Sequence, residues 1–194
     1  MSHPHQIAIR EYRAGDETEI LALFNRVFAR ADPGFRPRDL ETWRWLYEKN
    51  PSGRRIMLAV AGDGRVVSQY AGLGQRVALA GTRVRANLAV DSMSDPDRRG
   101  LQHPGPFVRT GRVFAPHFGG RASGADAFMW GLPDPPAWRI GRAFLGYQVV
   151  RNLNRLVHGP LDAPPSPGVA REIESVPAGV DRLFERVAAE RGAL

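Results

Sequence analysis

At 194 residues with 43% hydrophobic side chains, the chain is long enough for one ordinary domain with an extension, and apolar enough to bury a core without covalent staples. It has no cysteine, which excludes disulfides, thiolate metal sites and a cysteine nucleophile. The net charge of +7 raises nucleic acid as a partner, but of 27 basic residues only Lys49 is lysine, and the arginines are scattered from Arg10 to Arg191 in a pattern closer to GC-rich codon usage than to a phosphate-binding stripe.

The N-terminal stretch MSHPHQIAIREYR has no apolar h-region, and no run approaches the ~20 apolar residues needed to span a bilayer. The reading is a soluble, cytoplasmic protein with no membrane contact. Ile7 to Tyr12 alternate as a short strand, and Asp16 with Glu19 predicts a capping box that opens a helix. In that helix Ile20, Leu23, Phe24, Val27 and Phe28 share one face, and Asp32-Pro33-Gly34 ends it. A second helix begins at Asp39, carries Leu40, Trp43 and Tyr47 on one side as core residues, and stops at Asn50-Pro51.

From Arg55 the period changes. Ile56 to Ala61, Arg65 to Leu79 and Arg83 to Met93, separated by Gly62-Asp63-Gly64 and Ala80-Gly81-Thr82, predict an antiparallel meander of three strands. Gly72 and Gly74 suggest a bulge or twist in the long middle strand. Val90 to Gly100 then leaves the third strand for a basic, Gly/Pro-rich loop before a short helix at Pro106 to Ala115. A strand feeding such a loop and helix presents backbone amides and a helix N-terminus to a phosphate.

A strand at Ala127 to Leu132 follows, then a helix from Asp134-Pro135 to Leu145 with Gly146 at its C′ position, then a last strand over Tyr147 to Val157. Residues 158–176, which include HGPLDAPPSPG, read as a Pro-rich linker after a domain spanning 1–157. Residues 177–194 form an amphipathic helix with Val180, Leu183, Phe184, Val187 and Ala188 on one face. That face must dock on the domain's own sheet, on a second copy in a homodimer, or on a further domain.

The order of elements predicts an α/β (α+β) fold with a mixed, mostly antiparallel central sheet flanked by helices. It resembles the GNAT superfamily of acyl-CoA N-acyltransferases. Ile9-Arg10-Glu11-Tyr12-Arg13 with Asp16 looks like the family's opening strand and helix. Met93-Ser94-Asp95-Pro96-Asp97-Arg98-Arg99-Gly100 is similar to its strand end and cofactor loop, and Phe144-Leu145-Gly146-Tyr147 to the turn after its fourth helix. The resemblance implies acetyl-CoA or another acyl-CoA as cosubstrate and a small-molecule or peptide amine as acceptor. It places Ser92, Met93, Ser94, Arg98, Arg99, Gly100, Leu101, Gln102, His103 and Gly105 along the cofactor, with Asp91 and Tyr147 as candidate catalytic groups. Asp95 is an alternative base, and His103 could titrate near neutral pH or bind a phosphate.

The chain departs from the family pattern at two places. Gln102 and Pro104 stand where relatives carry glycines, and Pro104 and Pro106 each lack an amide donor. Arg142 takes the position of the family's frequent acidic tyrosine. An alternative reading is therefore a non-catalytic GNAT module that binds or scaffolds. His3, His5, His117 and His158 have no metal-ligand spacing, so no metal is expected.

Overall fold

The computed structural model describes residues 7–98, 103–120, 124–152, 175 and 179–191. Strand β1 is Ile7–Glu11, followed by helices α1 (Glu17–Ala31) and α2 (Leu40–Tyr47). The meander is β2 (Arg54–Ala61), β3 (Val66–Leu79) and β4 (Thr82–Ser94). A 3₁₀ turn at Pro96–Arg98 precedes α3 (Pro106–Phe118), β5 (Phe128–Gly131), α4 (Pro135–Phe144) and α5 (Val180–Arg191). The five strands lie in the order β1-β2-β3-β4-β5, all antiparallel except the parallel β4–β5 pair. The expected mixed, mostly antiparallel sheet flanked by helices is thus what the chain forms.

The turns follow from their residues. Ala80 (φ 47°) and Gly81 (φ 76°) both sit in the left-handed region, which is the backbone a two-residue hairpin requires. Asp39 caps α2 as expected, its side chain accepting from the Thr42 amide at 2.7 Å. Asp16 behaves differently. Instead of closing a capping box, its carboxylate accepts from Arg10 (2.6 and 2.8 Å) and from the Arg13 amide (2.7 Å). A nearby guanidinium outcompetes the helix amide, so Asp16 fastens the β1–α1 turn.

Helices α1 and α2 cover one face of the sheet, where Ile20, Leu23, Trp43, Tyr47, Ile56, Leu58 and Met93 are buried together. Helix α3 covers the other face around Met57, Tyr70 and Phe114. Gly72 and Gly74 do not mark the bulges, which fall at Val67 of β3, opposite Ala59 and Val60, and at Asp91–Ser92 of β4, opposite Tyr70. They are glycines for close approach: a Cβ at Gly72 would strike the Asn87 side chain, and one at Gly74 would lie 2.6 Å from the Ser52 carbonyl.

The C-terminal region differs more. Residues 147–152 form no strand, and 153–157 lie outside the described residues. Gly146 (φ 71°) turns the chain back, and Tyr147 packs on Gly141 with its hydroxyl on Tyr70, so the segment folds over α4 rather than along β5. Apart from Ser175, the linker of 158–176 also lies outside them. On α5, Val180, Leu183 and Phe184 are exposed, and Glu185 pairs with Arg83 of β4 at 2.9 Å. No helix among the described residues is long and apolar enough to cross a membrane.

Candidate functional site

The site is built where β4 and β5 part. Their pairing runs from Ala86/Phe128 to Ala89/Gly131 and stops there, because β5 ends at Gly131 and the chain turns into α4. Strand β4 continues through Val90 to Ser94, bonded to β3 on one edge only. Amides in a strand alternate between its two edges, so this stretch offers backbone donors into the gap. Ala89 and Gly131 keep the apex narrow: a Cβ at Gly131 would meet Ala89 at 3.3 Å.

A bulge sits at the same place. Gln69 pairs with Met93 and Ala71 with Val90, so Asp91 and Ser92 together oppose Tyr70 alone. Asp91 takes φ 50°, left-handed for a residue with a side chain. The carbonyls thrown out of register are met by buried β3 side chains: Gln69 Nε2 donates to the Asp91 carbonyl (3.0 Å) and Ser68 Oγ to the Met93 carbonyl (2.8 Å).

The bulge is flanked by different groups on the two faces. On the α1–α2 face, the Asp91 carboxylate receives Arg38 through both terminal guanidinium nitrogens and the Tyr47 hydroxyl at 2.7 Å. Burial first, and then the Asp91 charge, hold the Tyr47 hydroxyl well above the usual phenol range, so it stays a donor. On the α3–α4 face, the Tyr70 and Tyr147 hydroxyls are hydrogen-bonded to one another. Burial raises both phenols, so both remain neutral at physiological pH.

The loop after β4 is fastened to α1. Asp95 accepts from Arg26 at 3.0 Å and from the Asp97 amide at 3.0 Å, and Asp97 takes Arg30 through two bonds of 2.9 and 3.2 Å. Asp95 is thus a loop anchor. Behind the apex, Arg55 and Asp126 form a buried bidentate pair (2.8 and 2.9 Å) that ties β2 to the segment entering β5.

The sequence-derived residues are distributed unevenly about this site. Ser92, Met93 and Ser94 lie on the open stretch of β4, Asp91 stands in the bulge with its carboxylate on Tyr47, and Tyr147 bonds the hydroxyl of Tyr70, the β3 residue opposite the bulge. Gly105 is the N-cap of α3 with Pro106 at the first position. The Arg98 guanidinium is directed at Asp63, 3.6 Å away on the β2–β3 turn. The exposed ring of His103 meets Phe144 edge-on. Arg99, Gly100, Leu101 and Gln102 lie outside the described residues. Sequence reading passed over Arg38, Tyr70 and the bonding role of Tyr47. The available signal was Ser68-Gln69-Tyr70, three polar-headed residues in the middle of a strand otherwise suited to a core. Among the described residues, no group of three or more His, Asp or Glu side chains could hold a metal ion.

Comparison with known proteins agrees with this geometry. The model of the acetyltransferase (GNAT) domain family matches residues 8–109, from β1 into α3. The chain belongs to the GNAT acetyltransferase family. Among solved structures it is similar to an acetyltransferase from Trypanosoma brucei, at 14% identity over 79% of this chain and 100% of that one with a TM-score of 0.59. It is similar also to glucosamine-6-phosphate N-acetyltransferase from Arabidopsis thaliana, at 11% identity over 79% and 100% of the two chains with a TM-score of 0.58. A third is an aminoglycoside acetyltransferase from an uncultured soil metagenomic sample, at 15% identity over 78% and 97% with a TM-score of 0.52. At these identities the likeness is one of fold. No curated protein matches the sequence.

Proposed function

We propose that this domain transfers an acyl group from acetyl-CoA or a longer acyl-CoA to a small-molecule or peptide amine, in the cytoplasm. The observation that carries the reading is the free edge of β4 from Val90 to Ser94, with a bulge at Asp91–Ser92 where β5 has already turned away. The residues there suit the ligand: open-edge amides match the amide-bearing arm of a pantetheine, and the N-terminus of α3 at Gly105 faces a phosphate favourably. Pro104 and Pro106 contribute no donors, so the anion would rest on the amides from Phe107 onward and on the basic segment before His103.

A bound acyl-CoA supplies an activated thioester carbonyl. Amides at the bulge then serve as fixed donors to its oxygen, in a setting where donors need no reorganisation. The amine attacks in its neutral form after losing a proton to solvent; the C–N bond forms, the nitrogen gives up a second proton to solvent, and the C–S bond breaks with departure of the thiolate. In this reading the neutral Tyr147 hydroxyl protonates that sulfur, the Tyr70 hydroxyl hydrogen-bonded to it passes on a proton, and solvent restores the pair. Asp91, proposed from the sequence as a base, has both carboxylate oxygens engaged by Arg38 and Tyr47.

Calorimetric titration of the full chain with acetyl-CoA and longer acyl-CoAs, followed by a thiol-release assay over a panel of primary amines, tests the reading. Saturable binding and amine-dependent thiol release are expected. Binding without release for any amine would favour a non-catalytic module. No binding at millimolar ligand would overturn the proposal.

A further inference from the structure

Asp91 is held by more contacts than a partly buried carboxylate requires. Asn25 of α1 grips the backbone of Arg38 from both sides, its Nδ2 donating to the Arg38 carbonyl (3.1 Å) and its Oδ1 accepting from the Arg38 amide (2.9 Å). So placed, the guanidinium lies over the Phe24 ring, 3.9 Å from its centroid, and bonds Asp91 through both terminal nitrogens. Tyr47 adds its hydroxyl from α2, and Gln69 takes the carbonyl of the same residue from β3. The Arg38 and Asp91 side chains are only 18% and 14% exposed. The bonds from Arg38, Tyr47 and Gln69 all end on Asp91, the residue whose backbone stands at φ 50° in the bulge. A non-glycine residue in that region is strained and persists where its surroundings over-determine it.

We propose that Asn25, Arg38 and Tyr47 are positioning residues that act through Asp91 to hold the β4 bulge, and with it the amide edge offered to the acyl donor. The proposal rests on the acyl-transfer reading above for its functional meaning, but the clamp itself is a property of the ligand-free chain. It makes the α1–α2 connection, on the face opposite Tyr147, a determinant of donor geometry. It also assigns Asp91 to the backbone rather than to the incoming amine.

The contrast between Asp91→Gly and Asp91→Ala separates clamp from base. Glycine adopts the left-handed conformation without cost and so keeps the bulge with no carboxylate, whereas alanine loses the carboxylate and opposes the conformation. Acyl-CoA affinity and transfer rate are expected to fall about tenfold further in Asp91→Ala than in Asp91→Gly. Equal losses in the two variants, the result a base would give, would overturn the proposal.

A second measurement needs no ligand. In Arg38→Ala and Tyr47→Phe, the latter keeping its buried ring, backbone amides of Ser92 to Ser94 are expected to exchange with solvent about tenfold faster, while those of Leu58 and Ala59 in β2 keep their rates. Arg38→Lys, which keeps the charge, is expected to recover part of the protection. Unchanged exchange in both variants would overturn the clamp whether or not the wild-type chain binds acyl-CoA. Failure of the wild-type chain to bind acyl-CoA, with exchange altered as expected, would overturn the acyl-transfer reading and leave the clamp standing.

Discussion

On the α1–α2 face of the sheet, Ile20, Leu23, Trp43, Ile56 and Leu58 form a close-packed apolar layer; on the α3–α4 face, a smaller cluster around Met57, Tyr70 and Phe114 is closed by helical glycines that let Leu145 and Tyr147 approach. A Cβ at Gly111 would meet Leu145 at 2.9 Å and Tyr70 at 3.1 Å, and Gly141 lies under the Tyr147 ring. The first face is apolar volume filling a fixed space. The second depends on close approaches that seat the Tyr70 and Tyr147 hydroxyls against one another. One face should therefore respond to lost volume, the other to added volume.

Trp43→Ala, at 1% exposure, is expected to have the largest effect, about 4 kcal/mol of destabilisation read from urea unfolding. A loss below 1 kcal/mol would break the picture of that face as the stabilising core. Asp126→Ala comes next, because it leaves the Arg55 guanidinium buried without its partner: about 3 kcal/mol, with most of it recovered in the double replacement Arg55→Met, Asp126→Leu. If the double variant were no better than the single one, the pair would owe its place to something other than charge compensation.

Gly141→Ala sharpens the contrast, since it adds one methyl where the Tyr147 ring already sits. A stability cost of about 2 kcal/mol is expected, together with a fall in transfer rate matching that of Tyr147→Phe. A rate equal to wild type would show that Tyr147 does not need its present seat.

The smallest effect is on pH dependence. Tyr12 is pushed up to about 12, by burial first and then by its bond to Glu17, and Tyr47, Tyr70 and Tyr147 are raised as well. Raised folded values favour the protonated form, so their contribution is fully present below the unfolded phenol value of about 10 and is lost as pH climbs through the folded values. Melting temperature should be level with respect to these groups up to about pH 10 and fall above it. Asp16 works in the opposite direction at the acid end: the Arg10 hydrogen bond lowers its pKa, so its contribution is lost below about pH 4.

Much of the fold was legible because it rests on local signals. Periodicity located α1, the turn residues located the meander, and Asp134 with Pro135 located the start of α4, where Asp134 accepts from the Ala137 amide at 2.8 Å. The strand end at Ser92-Met93-Ser94 was legible as well, since a strand entering a Gly/Pro-rich loop is a local pattern. The clamp was not. Arg38 lies 53 residues from Asp91 and Tyr47 lies 44, and nothing near any of them in the chain announces the pairing. Asp16 misled for a related reason: the box spacing was present, but Arg10 offered a stronger donor.

By itself, the sequence determined most of the helices, strands and turns from β1 to α4 and the order in which they come, because hydrophobic period, caps and left-handed turn residues act over a few neighbours; beyond Gly146 the same signals pointed to a strand that 147–152 do not form. It also determined the family, whose model matches residues 8–109. Only the tertiary structure decided where β4 loses its second neighbour, which residue stands in the left-handed bulge, and which side chains meet there from opposite faces. Those features depend on register and on distant segments packing together, and a one-residue change in register moves each side chain to the other face of the sheet.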